Sequence, residues 1–232
     1  MNKFQNIMVI WLIVGLAFWA YYAIVIEFQF TLLYFFILSI GFGVPTYVFK
    51  ERITKVLRSI PINPGLRFIL LGYAAVILEE IFAALSNHLS EGFQINLYLE
   101  RVLQFWAFNI LAFTGFIVGW YFLIRWFKYS NTEIFFIAGA WGLWAEGIIF
   151  LITSNPIGLF FMAPIMIFVY GLIITPAMLS VEKTGKRKLN LIVKVILTYA
   201  VCFIFSIIPL IILNILRSFY PWLFPPPNFI PL

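Results

Sequence analysis

The chain has 232 residues, of which 64% are hydrophobic, 20% aromatic and only 10% charged. A soluble domain carries about 25% charged residues, so a chain this apolar cannot cover itself with polar surface and is read as an integral membrane protein. The formal net charge of +6 would point to nucleic acid in a soluble protein; here orientation in a membrane accounts for it, and no nucleic-acid partner is expected.

Seven apolar runs are long enough to span a hydrocarbon core, which takes about 20 residues of helix. They cover 7–26, 29–49, 66–86, 101–124, 134–153, 157–180 and 191–216. Backbone in lipid must satisfy its own hydrogen bonds, and stretches such as Phe35-Phe36-Ile37-Leu38 lack the alternation of a barrel strand. The expected fold is therefore all-α: a polytopic membrane helix bundle of about seven transmembrane helices, forming a single integral membrane domain over 1–232. The first run is longer than a signal-peptide core and has no clear cleavage site after it, so it is kept as the first helix.

Loops alternate sharply in charge. Lys3 begins the chain; Lys50, Arg52, Lys55, Arg58 and Arg67 follow the second run; Arg125 and Lys128 follow the fourth; Lys183, Lys186, Arg187, Lys188 and Lys194 follow the sixth. Of the 15 basic residues, that leaves Arg101 and Arg217 for the other side. The bias of Lys and Arg toward cytoplasmic loops places the N-terminus inside and the C-terminus outside, in a cell membrane. Within the first basic loop, Glu51 to Arg58 mixes apolar and basic residues as an interfacial helix does, and a solvated loop is the other reading. Pro61 and Pro64 end it. In the Pro-rich tail, Pro221 to Pro227, Trp222 and Phe224 suit the outer interface.

Against this apolar background the ionisable residues within the runs stand out. All nine acidic residues are Glu. Glu79 and Glu80 are adjacent in the third run, and Glu146 lies in the fifth. A charged group at the bilayer centre costs about 2.5–3.5 kcal/mol on insertion scales, so such residues are site candidates by default. Counting from the outer helix ends at 1.5 Å per residue, all three sit roughly 9–11 Å below the outer boundary. Glu80, Ala84, Asn87 and His88 share a helical stripe if the third helix reaches that far, and Gly139, Gly142 and Glu146 share one on the fifth. Small residues let helices approach closely, so both faces suit a bundle interior. A meeting of Glu79 or Glu80 with Glu146 is expected on these grounds. Asn109 and Trp106 of the fourth run reach a similar level and complete the wall together with Asn87.

Other polar groups have plainer readings. His88, the single histidine, is expected in the loop that leaves the third run. Trp141 and Trp144 are packing residues, and Asn155 caps a turn at Ser154-Asn155-Pro156. Pro164 and Pro176 are expected to kink the sixth helix and free backbone carbonyls there. Cys202, the single cysteine, is a small apolar filler that excludes an internal disulfide. No metal or cofactor is expected.

The Glu79-Glu80 pair in a membrane helix resembles the first motif of the glutamate intramembrane proteases, of the CAAX-processing and bacteriocin-processing type and the related PrsW type. The likeness covers about residues 70–160. Ala84 stands where the first type has Arg, and Ala83 where the PrsW type has Lys. The Gly-rich stretch Ala138 to Phe150 is similar to the PrsW second motif, with Gly142 in place of Phe and Glu146 at the glutamate. The third motif, an intramembrane His, has no counterpart in the last two runs. The resemblance implies a membrane-embedded hydrolase acting on a membrane peptide: Glu80 as general base on water, Glu79 or Glu146 sharing its proton, and His88 as the available imidazole. A fainter likeness, in Asn155-Pro156-Ile157-Gly158, is to membrane carotenoid-modifying proteins. The alternative class is a non-catalytic transport, lipid-binding or scaffolding membrane protein in which the same carboxylates bind a proton, a cation or a headgroup. Membrane lipid is a partner on both readings, and another membrane protein is a further candidate.

Overall fold

The computed structural model describes residues 3–26, 28 and 30–225, without the side chains of Thr31, Ser90 and Glu91. Gln29, which opens the second predicted run, and Pro226 and Pro227 of the tail lie outside the described residues. In chain order the helices are α1 (Lys3–Val25), α2 (Thr31–Phe36), a π-helical stretch (Ile37–Gly43), α3 (Val44–Val48), α4 (Lys50–Ser59), α5 (Pro64–Glu91), α6 (Ile95–Ala112), α7 (Thr114–Trp126) and α8 (Asn131–Ala145). A 3-10 turn (Ile148–Phe150) then leads to α9 (Leu151–Ser154), α10 (Pro156–Ser180) and α11 (Leu191–Phe219). Among the described residues the only extended pairing is a single parallel bridge, Phe127 with Arg187.

The fold is all-α, as the absence of strand alternation requires. Five helical stretches are long and apolar enough to cross a membrane, and there are seven if each of two bent pairs counts as one span. Each predicted run has its counterpart, but the boundaries differ in ways that matter. The outer loop predicted between residues 86 and 101 shrinks to Gly92–Gln94, because α5 continues to Glu91 and α6 begins at Ile95. The run at 134–153 is not one helix: it bends by 72° after Ala145. The basic stretch after the second run does form a helix, α4, as its amphipathic reading anticipated. Pro164 and Pro176 leave α10 helical from end to end.

Two compact units make up the chain, Met1–Lys50 with Asn131–Leu172 and Glu51–Ser130 with Ile173–Leu232. In the first, α1 and α8 begin at the same end, since Gln5 Nε2 donates to Thr132 Oγ1 at 2.8 Å. Phe18 of α1 stacks on Phe161 of α10 with ring centroids 3.9 Å apart. A Cβ at Gly139 would stand 2.1 Å from the Ile167 carbonyl oxygen. Glycine at that place is therefore what lets α8 lie against α10, as small residues do between membrane helices.

The second unit is centred on α7, whose Phe116, Ile117, Trp120, Leu123 and Ile124 are almost wholly buried. Its Gly115 and Gly119 lie against α11, where a Cβ on Gly115 would meet Ser206 Oγ at 2.0 Å. On α11 the buried residues are Lys194, Thr198, Cys202, Ser206, Pro209 and Leu213. Its exposed face carries Ile192, Ile196, Ile204, Ile208, Ile211 and Ile215. A helix in water has the opposite arrangement. Small polar groups turned inward and branched aliphatics turned outward are what lipid selects, because an inward hydroxyl can find an acceptor. Here Thr198 donates to the Lys194 carbonyl and Ser206 to that of Cys202. Cys202 itself is fully buried, matching its reading as a filler.

Candidate functional site

The glutamate pair sits in the hairpin formed by α5 and α6. Asn63 starts α5 by accepting the Gly65 N–H on its side-chain oxygen at 2.8 Å, and Pro64 occupies the first turn, where its missing N–H costs nothing. The hairpin turns within three residues, with Gly92 at φ 90°, a conformation that favours glycine. So short a connection makes the two helices antiparallel neighbours.

Three side chains of α6 clip α5 along its length. Tyr98 donates its hydroxyl to the Ile81 carbonyl at 3.2 Å, Trp106 donates its indole N–H to the Ile77 carbonyl at 2.9 Å, and Asn109 donates its amide to Glu80. Ala84, Val102 and Phe105 form a dry cluster beside them. Glu79 is 8% exposed and Glu80 6%, so both carboxylates lie within the protein. The sequence placed Asn109 and Trp106 in the wall of this site, and both do stand against the α5 face that carries Glu80. Asn87 is half-buried, two turns beyond.

His88 differs from its expectation. It is not a loop residue but part of α5, and only 1% exposed. Its Nε2 accepts the backbone N–H of Gln94 at 2.7 Å, which fixes the three-residue turn and leaves the proton on Nδ1. Nδ1 is buried and has no hydrogen-bond partner among the described residues. Eight residues of helix separate His88 from Glu80, about 12 Å at 1.5 Å per residue. No direct hydrogen bond spans that distance. The sequence missed this because the predicted run ends at 86, whereas α5 continues to Glu91, with Ala84, Ser86 and His88 all buried.

Glu146 is held in the other unit. Gly147 adopts a left-handed conformation, φ 68°, and ends α8 there. Glu146 thus lies at a helix terminus and not, as the sequence reading had it, in mid-helix. Its carboxylate accepts the hydroxyl of Tyr170 on α10. Gly142, one turn back, makes room for this ring, since a Cβ there would lie 2.3 Å from Tyr170 Cδ2. Tyr170 was not singled out from the sequence; a lone Tyr within an apolar helix was the available signal. Trp141 and Trp144 contact each other with centroids 5.3 Å apart; Trp141 is buried and Trp144 exposed. Asn155 caps α10 by accepting the Gly158 N–H at 2.8 Å.

Each unit therefore supplies its own glutamate with a neutral donor. A single site holding all three carboxylates, expected from their common depth, is a feature of neither unit by itself. Among the described residues no group of three or more His, Cys, Asp or Glu could hold a metal ion.

No family model, no characterised protein and no solved structure matches this chain. The class is set by the fold alone: a multi-pass, membrane-embedded helical protein with buried glutamates.

Proposed function

We propose that this is a non-catalytic membrane protein of the binding or transport type, in which the Glu79–Glu80 pair carries an exchangeable proton inside the α5–α6 hairpin. One observation carries the reading: Glu80 is engaged by the neutral amide of Asn109, while His88 is occupied in closing a turn. Two adjacent carboxylates in a low-dielectric site repel one another when both are charged. An amide donor steadies such a pair but takes no proton, and it cannot make a water nucleophilic. The intramembrane proteases that the motif resembles rely on an imidazole beside the glutamate. On this reading the likeness is one of scaffold, with hydrolysis absent.

The same ends of the chain that the positive-inside rule groups together are bonded together within each unit. Lys128 N–H donates to the Arg187 carbonyl at 2.9 Å, Gln5 bonds Thr132 at 2.8 Å, and Gln104 Nε2 reaches the Trp222 carbonyl at 2.9 Å. This supports the grouping of these segments by side, and the charge bias then sets the N-terminus inside and the C-terminus outside.

The test is infrared difference spectroscopy of the purified protein in lipid across a pH titration. Wild type should show a protonated-carboxyl C=O band that changes with pH and that Glu80→Gln removes. A band that never changes makes the pair a static packing device. Cleavage of a fluorogenic membrane peptide, lost in Glu80→Gln, would restore the hydrolase reading.

A further inference from the structure

The second unit contains an open cleft of about 460 Å³, lined by Arg125, Trp126, Thr184, Lys186 and Arg187. It is assembled from two elements. Arg125 and Trp126 close the last turn of α7, the end of the span Ile95–Trp126. Thr184, Lys186 and Arg187 come from the linker between the spans Pro156–Ser180 and Leu191–Phe219. All five residues therefore lie at the ends of candidate membrane spans or in the linker between them.

Backbone bonds build this cleft. The last carbonyls of a helix have no partner within it and need one. Here the linker provides it: Gly185 N–H donates to the Ile124 carbonyl at 3.0 Å and Arg187 N–H to that of Trp126 at 3.4 Å. Lys128 N–H returns a bond to the Arg187 carbonyl at 2.9 Å. A Cβ at residue 185 would lie 2.1 Å from the Phe127 carbonyl oxygen, so the linker can lie this close to the helix end only with Gly185. Three cationic side chains are thus held around one opening. The ion pair of Arg58 with Glu182 uses none of Arg125, Lys186 and Arg187. Arg125 is steadied from behind by the Tyr121 ring, 5.8 Å from its guanidinium carbon.

We propose that this cleft binds the phosphate of an anionic phospholipid headgroup from the adjoining leaflet. Arginine offers a planar pair of donors that matches two phosphate oxygens, lysine adds a point charge, and the Thr184 hydroxyl can donate to a third oxygen. Trp126, 55% exposed beside the cations, has the amphipathic ring that settles at headgroup level. The membrane-boundary position and that tryptophan select a lipid over a free anion, since a basic pocket between spans meets headgroups at high local concentration. The inference does not depend on the reading of the glutamate pair.

The experiment uses the full-length protein in phosphatidylcholine bilayers with a trace of spin-labelled phosphatidylglycerol or spin-labelled phosphatidylcholine. The immobilised lipid fraction is read by electron paramagnetic resonance. Wild type should select phosphatidylglycerol. Arg125→Gln, Lys186→Gln and Arg187→Gln should each weaken selection about fivefold, and the triple variant on the order of a hundredfold. The single variants keep the test sound should the triple variant fold poorly. A control variant with Lys50, Arg52 and Lys55 of α4 changed to Gln should keep the selectivity. Retained selection in the triple variant, or equal loss in the control, overturns the proposal. So does full competition by millimolar inorganic phosphate, which would mark a free-anion site.

Discussion

Asn109 and Glu80, 29 residues apart in sequence, are joined by a hydrogen bond across the α5–α6 hairpin. The amide N–H is the donor and the carboxylate the acceptor, so the bond survives whether or not the glutamate carries a proton on its other oxygen. A cross-helix polar bond of this kind is worth about 1 kcal/mol in membrane proteins. Removing one partner costs more, because the other then loses a buried hydrogen bond. Glu80→Gln should therefore be tolerated, while Glu80→Leu and Asn109→Leu should each lose about 1–3 kcal/mol of stability. Thermal unfolding in detergent measures this. The double variant should be less damaged than the sum of the singles, and strict additivity would show that the pair is not coupled.

For Glu146 the partner is Tyr170, and the prediction separates hydroxyl from ring. Tyr170→Phe keeps the packing against Gly142 and should cost about 1–2 kcal/mol through the orphaned carboxylate. Glu146→Gln should restore most of it in that background, since a neutral amide tolerates a lost donor better than a carboxylate does. If Tyr170→Phe melts with wild type, Glu146 has its principal contact elsewhere.

The bend after α8 rests on Gly147. A residue with a Cβ pays for a left-handed conformation by about 1–2 kcal/mol. Gly147→Ala should be destabilising by that amount, and Gly147→Asn, which tolerates this conformation, by less. Equal stability of the three would mean that the helix can run straight through Glu146.

Close approach of α7 to α11 gives a steric prediction. A Cβ on Gly115 would lie within 2.5 Å of Ser206 Oγ, N and Cα. Two of those atoms are backbone and cannot rotate away. Gly115→Ala should cost about 1–3 kcal/mol, in the range of overpacked cores, and a Ser206→Ala background should not rescue it. Gly41, where a Cβ would come no closer than 4.0 Å to Ile37 Cγ2, should accept Ala at little cost.

Orientation is testable by cysteine labelling. Cys202 is fully buried and serves as a silent background. Ser59→Cys and Lys188→Cys should react with an impermeant maleimide only from the inside, and Gln94→Cys only from the outside. Gly185 is unsuitable as a labelling site because a side chain there would strike Phe127. Labelling of positions 94 and 188 from the same side would refute the assignment.

Hydropathy in the sequence was enough to establish helices, their approximate number and their lipid setting. In a membrane this follows from composition, since an apolar stretch must satisfy its backbone internally and can do so only as a helix. The close-approach faces were legible too: Gly139 and Gly142 lie against α10, as their spacing implied. The partners of the polar groups were less legible. Asn109 could be read as near the level of Glu80 by counting residues along two antiparallel runs, but the three-residue turn that makes the helices neighbours could not. Tyr170 could not be tied to Glu146, and His88 could not be read as the acceptor for Gln94 N–H, because both depend on where a helix ends. Helix ends in this chain are decided by single residues, Gly147 and Gly92, whose positive φ only the folded backbone reveals. A hydropathy average over some twenty residues does not resolve one glycine. Charge alternation likewise placed Arg125, Lys186 and Arg187 on one side, but it took the backbone bonds between linker and helix end to gather them around one cleft. Sequence composition determines which groups must avoid lipid, and tertiary contact determines which of them meet, because a hydrogen bond depends on positions finer than a helical turn.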